Sequence, residues 1–274
     1  MAFIQMSLLS QTLMRTVPVN VILPADKLTF PGMPVREDKP YKTLYLLHGI
    51  FGSYVDWVTG SRICRYAEEN DLVVVMPSGD NAFYVDQKEG QNCYGEFIGR
   101  ELVELTRKMF PLSHKREDTY IGGLSMGGYG AIRNGLKYHD TFDAIVALSS
   151  ALIVEGLPAR TNEPPIFMER RDYAESVFGD LDVVLESDKN PKYLVEQLKK
   201  EGAQFPEIYM ACGDADGLMG ANQDFVDFLK AHDVPVTFEV GPGGHEWDFW
   251  ATFIKKGMEL LPLEKNGLGI HSGN

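Results

Sequence analysis

The sequence predicts an α/β fold with a mostly parallel central sheet and helices on both faces. Short, continuous apolar runs recur along the chain, as strands buried on both faces require. Stretches of helical periodicity separate them, and a βαβα alternation leads to parallel pairing through right-handed crossovers. The length of 274 residues, with 44% hydrophobic and 24% charged residues, supplies a large core.

Taken in order, Val17 to Leu23 alternates and contains Pro18, which cannot donate to a ladder, so a hairpin or edge pair is expected. Lys27 to Pro40 carries Pro31, Gly32, Pro34 and Pro40 among polar residues and reads as a loop. The buried strands are expected at Leu44 to Leu47, Leu72 to Met76, Thr119 to Ile121, Ala144 to Leu148, Glu207 to Ala211 and Val236 to Val240. Helices are expected at Arg62 to Glu69, Glu96 to Phe110, Met126 to Tyr138, Asn222 to Ala231 and Trp247 to Leu261. The stretch from Ala151 to Gln204 breaks the rhythm, with Pro158, Pro164 and Pro165, a charged turn at Glu169 to Asp172 and a polar helical stretch at Pro191 to Glu201. The expectation is a single domain, 1–274, in which 151–204 form a cap-like insertion over one end of the sheet.

A net charge of −13 disfavours phosphate backbones and anionic lipid surfaces, which want Lys/Arg clusters, so neither nucleic acid nor membrane is an expected partner. A small molecule is, and the sequence leaves room for a homo-oligomer. Met1 to Ser10 is apolar but lacks a basic start and a cleavage site, and no apolar run approaches about 18 residues, so neither secretion nor a membrane span is expected. Cys64, Cys93 and Cys212 are few, odd in number and far apart, which fits a reducing, cytoplasmic setting and offers no metal spacing. Cys212 ends a strand-like run and reads as a buried apolar side chain rather than a nucleophile.

The chemistry centres on "GGLSMGGYG", residues 122–130. Gly123-Leu124-Ser125-Met126-Gly127 satisfies G-x-S-x-G between a strand and a helix, the context in which a serine sits on a strained turn and small neighbours prevent clashes. A phosphate-binding loop would need Lys and Ser/Thr after its last glycine, where this chain has Gly128 and Tyr129. Serine is a poor nucleophile without a base, so a downstream acid and histidine are required. The turn after the strand ending at Ala211 offers Asp214 and Asp216, and the loop Gly241-Pro242-Gly243-Gly244 brings His245 to the end of the next strand. His114, His139, His232 and His271 lack such a position, and His48 is expected to brace a loop by hydrogen bonding. An oxyanion pocket is expected from the Met126 amide and from the loop His48 to Ser53 after an early strand. Phe51, Trp57, Tyr129 and Trp247 adjoin these blocks and are candidate substrate-pocket walls.

With "LYLLHGIFGSYVDW", "GGLSMGGYGAI", "MACGDADGL" and "GPGGHEWDFW" in this order, the chain resembles the esterase D-like branch of the α/β-hydrolases, near the bacterial tributyrin esterases and the feruloyl and acetyl esterases. The resemblance spans most of the chain. It implies Ser125 as nucleophile, His245 as base, Asp216 rather than Asp214 as acid, and oxyanion amides at Met126 and at Ile50 or Phe51, with no cofactor. Where members often carry Thr-Glu before the acid, this chain has Asp214-Ala215. The implied activity is hydrolysis of acetyl, butyryl or hydroxycinnamoyl esters. An acyltransferase, an S-formylglutathione hydrolase and a non-catalytic binding protein are the alternatives; the cysteine-containing block usual in the second is replaced here by Ile50-Phe51-Gly52.

Overall fold

The computed structural model describes residues 1–32 and 36–264. Part of the Lys27 to Pro40 loop and His271 therefore lie outside the described residues. The strands are β1 (Ala2–Ser10), β2 (Arg15–Leu23), β3 (Lys42–Leu47), β4 (Leu72–Pro77), β5 (Asp86–Gln87), β6 (Asn92–Cys93), β7 (Thr119–Leu124), β8 (Ala144–Leu148), β9 (Glu207–Gly213) and β10 (Val236–Gly241). Eight of them form one sheet in the order β1-β2-β4-β3-β7-β8-β9-β10, while β5 and β6 pair as a short hairpin. Pairing is parallel from β4 through to β10 and antiparallel at β1–β2 and β2–β4. Every residue of β4, β7 and β8 is buried, which is why these strands read as unbroken apolar runs.

The hairpin or edge pair expected around Pro18 is β1–β2, an antiparallel pair at one end of the sheet, although the edge position that Pro18 suggests falls to its partner. The edge strand is β1, formed by the apolar N-terminal residues, and β2 has neighbours on both sides. Pro18 is tolerated there because the ladder with β4 starts at the next residue, Val19, and the Pro18 carbonyl accepts the Ser78 amide just beyond it. Its missing donor thus falls at the end of that ladder.

The helices are α1 (Asp56–Gly60), α2 (Ile63–Glu69), α3 (Tyr94–Glu96), α4 (Leu102–Met109), α5 (Met126–Lys137), α6 (Arg171–Phe178), α7 (Pro191–Glu201), α8 (Met219–Ala231) and α9 (Trp247–Leu260), with a π turn at Phe97–Glu101 joining α3 to α4. The pleat sends alternate strand residues to opposite faces. Tyr45, Leu47, Val73 and Val75 join α4, α5 and α8 in one core cluster, and Leu44, Leu46, Val74 and Met76 join α2 and α9 in the other. Burying each such side chain contributes about 1.5–3 kcal/mol, so the two layers hold the sheet firmly between its helices. Among the described residues no helix is long and apolar enough to cross a membrane.

Between β8 and β9 the chain forms α6, α7 and three 3-10 turns. The charged stretch from Glu169 is not an isolated turn as expected, because Arg171 and Asp172 open α6, where an acidic residue suits the helix N-terminus. This segment is fastened to α5 by Arg133, which is fully buried and donates to the Asp188 carbonyl (3.0 Å), the Asp188 carboxylate (2.6 Å) and the Asp86 carboxylate (3.2 Å). Lys137 reaches the same two carboxylates. Burial works against their ionisation, but Arg133 and Lys137 outweigh it and hold Asp86 and Asp188 below the ordinary carboxylate range.

Arg133→Met, which removes one partner from a buried ionic cluster, is expected to destabilise the protein by about 3 kcal/mol or more at neutral pH in denaturant unfolding. Groups with a depressed folded-state pKa stabilise above their unfolded value and lose that contribution as pH falls. The gap between variant and parent should therefore narrow below about pH 4; a gap independent of pH would refute the ionic account.

Candidate active site

Ser125 stands between β7 and α5 with a backbone φ of 55°, a region that L-residues rarely occupy. The chain reverses so tightly here that a Cβ on Gly123 would lie 2.3 Å from the Gly127 carbonyl oxygen, and one on Gly127 2.4 Å from that of Leu47. The turn is pinned by the Ser125 amide donating to Leu148 (2.8 Å) and by the Ser125 carbonyl accepting from Ala151 (2.9 Å) and Tyr129 (3.0 Å). Its side chain is thereby held at the carboxyl end of the sheet, above the start of α5.

The loops after β9 and β10 meet for a related reason. A Cβ on Gly213 would sit 2.2 Å from the Gly243 carbonyl, so only glycine permits this approach, and Gly243 itself has a φ of 136°. Ala215 donates to Gly243, and the Asp214 carboxylate accepts the Gly243 amide at 3.2 Å. Asp214 thus ties the two loops together. The Asp216 carboxylate instead receives His245 Nδ1 at 2.9 Å, and His245 Nε2 lies 2.9 Å from Ser125 Oγ. Asp216 is buried whereas His245 is partly open. Burial alone would raise the Asp216 pKa, but the Leu218 amide, the Ser149 hydroxyl and His245 overcome it and hold the carboxylate below its ordinary range.

Ile50 and Phe51 face Ser125 from the loop after β3. Phe51 has a φ of 66° and its amide donates to Asn81 Oδ1 at 2.9 Å. Beneath this loop His48 is buried; its Nε2 accepts the Gly79 amide at 2.9 Å, so Nδ1, 2.7 Å from the Gly49 carbonyl, carries the proton. Burial lowers the His48 pKa and keeps the ring neutral, in keeping with a bracing role. His232 caps α8 through the Phe228 carbonyl, and neither His114 nor His139 reaches the cavity at Ser125.

That cavity has a volume of about 570 Å³ and mostly apolar walls. Of the candidate wall residues, Phe51 and Trp247 line this cavity, together with Phe83, Ile153, Met168 and Trp250. Trp57 and Tyr129 do not. Trp57 lies below the wall with its indole N–H on the Leu47 carbonyl, and Tyr129 points into the core, its hydroxyl on the Lys189 carbonyl. Both belong to helices whose inward face packs on the sheet, so adjacency in sequence does not carry them to the cavity. Cys212 is buried as expected, and desolvation, with Asp216 nearby, pushes its thiol up to about 12, so it stays protonated at neutral pH.

Ser149 and Trp250 join the site without having been expected there. Trp250 donates its indole N–H to Ser149 Oγ at 3.0 Å and packs edge-to-face on His245 with centroids 4.8 Å apart. The available signals are positional: Ser149 follows a parallel strand at its carboxyl end, and Trp250 shares a helix face with Trp247 three residues earlier.

A family model described as "Putative esterase" matches residues 10–258. The chain is 44% identical over 261 residues to an acetyl esterase of Caldicellulosiruptor saccharolyticus, covering 95% of this chain and 98% of that protein. It is similar to the solved structure of substrate-bound FphF, a fluorophosphonate-binding serine hydrolase of Staphylococcus aureus, with TM-score 0.82 and 33% identity over 95% of this chain and 98% of that one. Another similar structure is the apoenzyme of an S-formylglutathione hydrolase, FrmB, from the same organism, with TM-score 0.80, 34% identity and the same coverage.

Gly127→Ala is expected to lower stability by roughly 2 kcal/mol, because the added methyl meets rigid backbone on two sides. Thermal unfolding of the purified variant checks this; an unchanged midpoint would show that the turn can relax.

Proposed function

Because the chain belongs to the Esterase family and is a carboxylic ester hydrolase, we propose that it works through an acyl-enzyme on Ser125, with His245 as general base and Asp216 as the acid that orients it. The observation that carries this reading is the continuous hydrogen-bonded series from Ser125 Oγ through both nitrogens of His245 to Asp216, at 2.9 Å for each link. His245 Nε2 takes the Ser125 proton as Oγ attacks the ester carbonyl. The tetrahedral oxyanion is received by the Met126 amide at the N-terminus of α5 and by the Ile50 amide, since Phe51 N–H is already engaged by Asn81. His245 then protonates the departing alcohol, and water repeats the cycle to release the acid.

The substrates we infer are esters of small acyl groups, acetyl or butyryl, or of flat hydroxycinnamoyl groups. A cavity of about 570 Å³ exceeds what an acetyl group fills, and its aromatic walls, Phe51, Phe83, Trp247 and Trp250, suit a planar ring. Residues Ala151, Ile153, Arg160, Met168 and Glu169 supply one wall, which supports segment 151–204 as a cap that bounds the acyl length. The likeness to an S-formylglutathione hydrolase at 34% identity favours a thioester as the second reading.

Ser125→Ala is expected to lower turnover of p-nitrophenyl acetate and butyrate by at least about a thousandfold with folding intact; unchanged turnover would sink the assignment. Parallel assays with feruloyl esters and S-formylglutathione rank the substrate classes, and an added acceptor alcohol that captures the acyl group would mark a transferase. Failure of a fluorophosphonate to label Ser125 would indicate a non-catalytic protein.

A further inference from the structure

Two side chains outside the serine, histidine and aspartate series close it into a ring. Resting on the triad reading above, we propose that Ser149 and Trp250 are positioning residues that hold the Asp216 carboxylate and the His245 imidazole in a single orientation. Ser149 directly follows β8, is wholly buried and has a φ of 45°, with its amide on the Ala211 carbonyl at 2.8 Å. A non-glycine residue in that region costs on the order of 1 kcal/mol or more and persists only where its surroundings impose it. The conformation aims Oγ between Trp250 and Asp216. Since the indole N–H can only donate, Ser149 Oγ accepts from Trp250 at 3.0 Å, which leaves its own proton free to be donated, and the hydroxyl is among the groups that favour the ionised form of Asp216.

The Asp216 carboxylate is held from several sides: Oδ1 accepts the Leu218 amide at 2.9 Å, Oδ2 accepts His245 Nδ1, and the Ser149 hydroxyl beside it favours the ionised form. Trp250 meets the ring twice, through its N–H on Ser149 and through its indole against His245 at an interplanar angle of 88°. It is only 6% exposed and sits in the first turn of α9, whose start is fixed by the Trp250 amide on the Glu246 carbonyl. The imidazole, partly open to solvent, is therefore braced on one side by the carboxylate and on the other by an indole that also sets the carboxylate's donor. Neither Ser149 nor Trp250 N–H reaches the reacting atoms, so both act through Asp216 and His245.

The test is a double-mutant cycle on the full chain, with kcat normalised to fluorophosphonate-titrated sites so that any misfolded fraction is excluded. Ser149→Ala is expected to lower kcat roughly tenfold with KM unchanged, as for loss of one hydrogen bond to a charged group. Trp250→Phe keeps the aromatic contact but removes the N–H, so it should lower kcat by a smaller factor. Combined with Ser149→Ala it should add nothing, because its N–H acts only through the Ser149 hydroxyl. Losses that multiply in the double variant, or a change confined to KM, would overturn the proposal. Asp216→Ala with full turnover would instead overturn the triad reading on which it rests, so the two failures are distinguishable.

Discussion

A serine side chain can stand clear at the end of a buried strand only if the backbone turns back on itself within one residue, and the positive φ of Ser125 is the conformation that does so. The strain is carried by parts that have little freedom to relax: β7, buried along its whole length, on one side and the first turn of α5 on the other. Glycines on both flanks are the steric condition for that turn. The turn leaves Ser125 in a position set by the sheet rather than by a loop, with Met126 opening α5 directly after it.

His245 and Asp216 are held differently. They come from loops after β9 and β10, brought together where two backbones touch at Gly213 and Gly243. Asp214 accepts the Gly243 amide and Asp216 meets His245, so two neighbouring aspartates that look alike in sequence make different contacts.

The α/β-hydrolase fold is legible in the sequence because parallel strands buried on both faces leave unbroken apolar runs, and Leu72 to Met76 and Ala144 to Leu148 carry that mark plainly. β1 is not legible in the same way, because an edge strand has one exposed face: Phe3, Gln5, Ser7 and Leu9 face outward, and Phe3 and Leu9 are themselves apolar. The run therefore shows no polar alternation and invites comparison with a leader instead of a strand. That Ser125, Asp216 and His245 converge is readable because strand ends and glycine loops announce themselves locally. The placements of Tyr129, Trp57, Ser149 and Trp250 are not, since whether an aromatic near a motif faces a cavity or the core depends on helix phase and on contacts across the sheet, which spacing does not encode.

β10, the strand that leads to His245, is the last of the sheet and pairs on one side only, with most of its side chains less than fully buried. His245 is thus suspended from the border of the molecule, while Ser125 is anchored at its centre. Fraying of that border would part His245 from Ser125 while the interior layers stay assembled, so on the proposed mechanism warming should silence the enzyme at temperatures where its fold still stands. Turnover that persists up to the melting transition would contradict this division between a durable body and a detachable working edge.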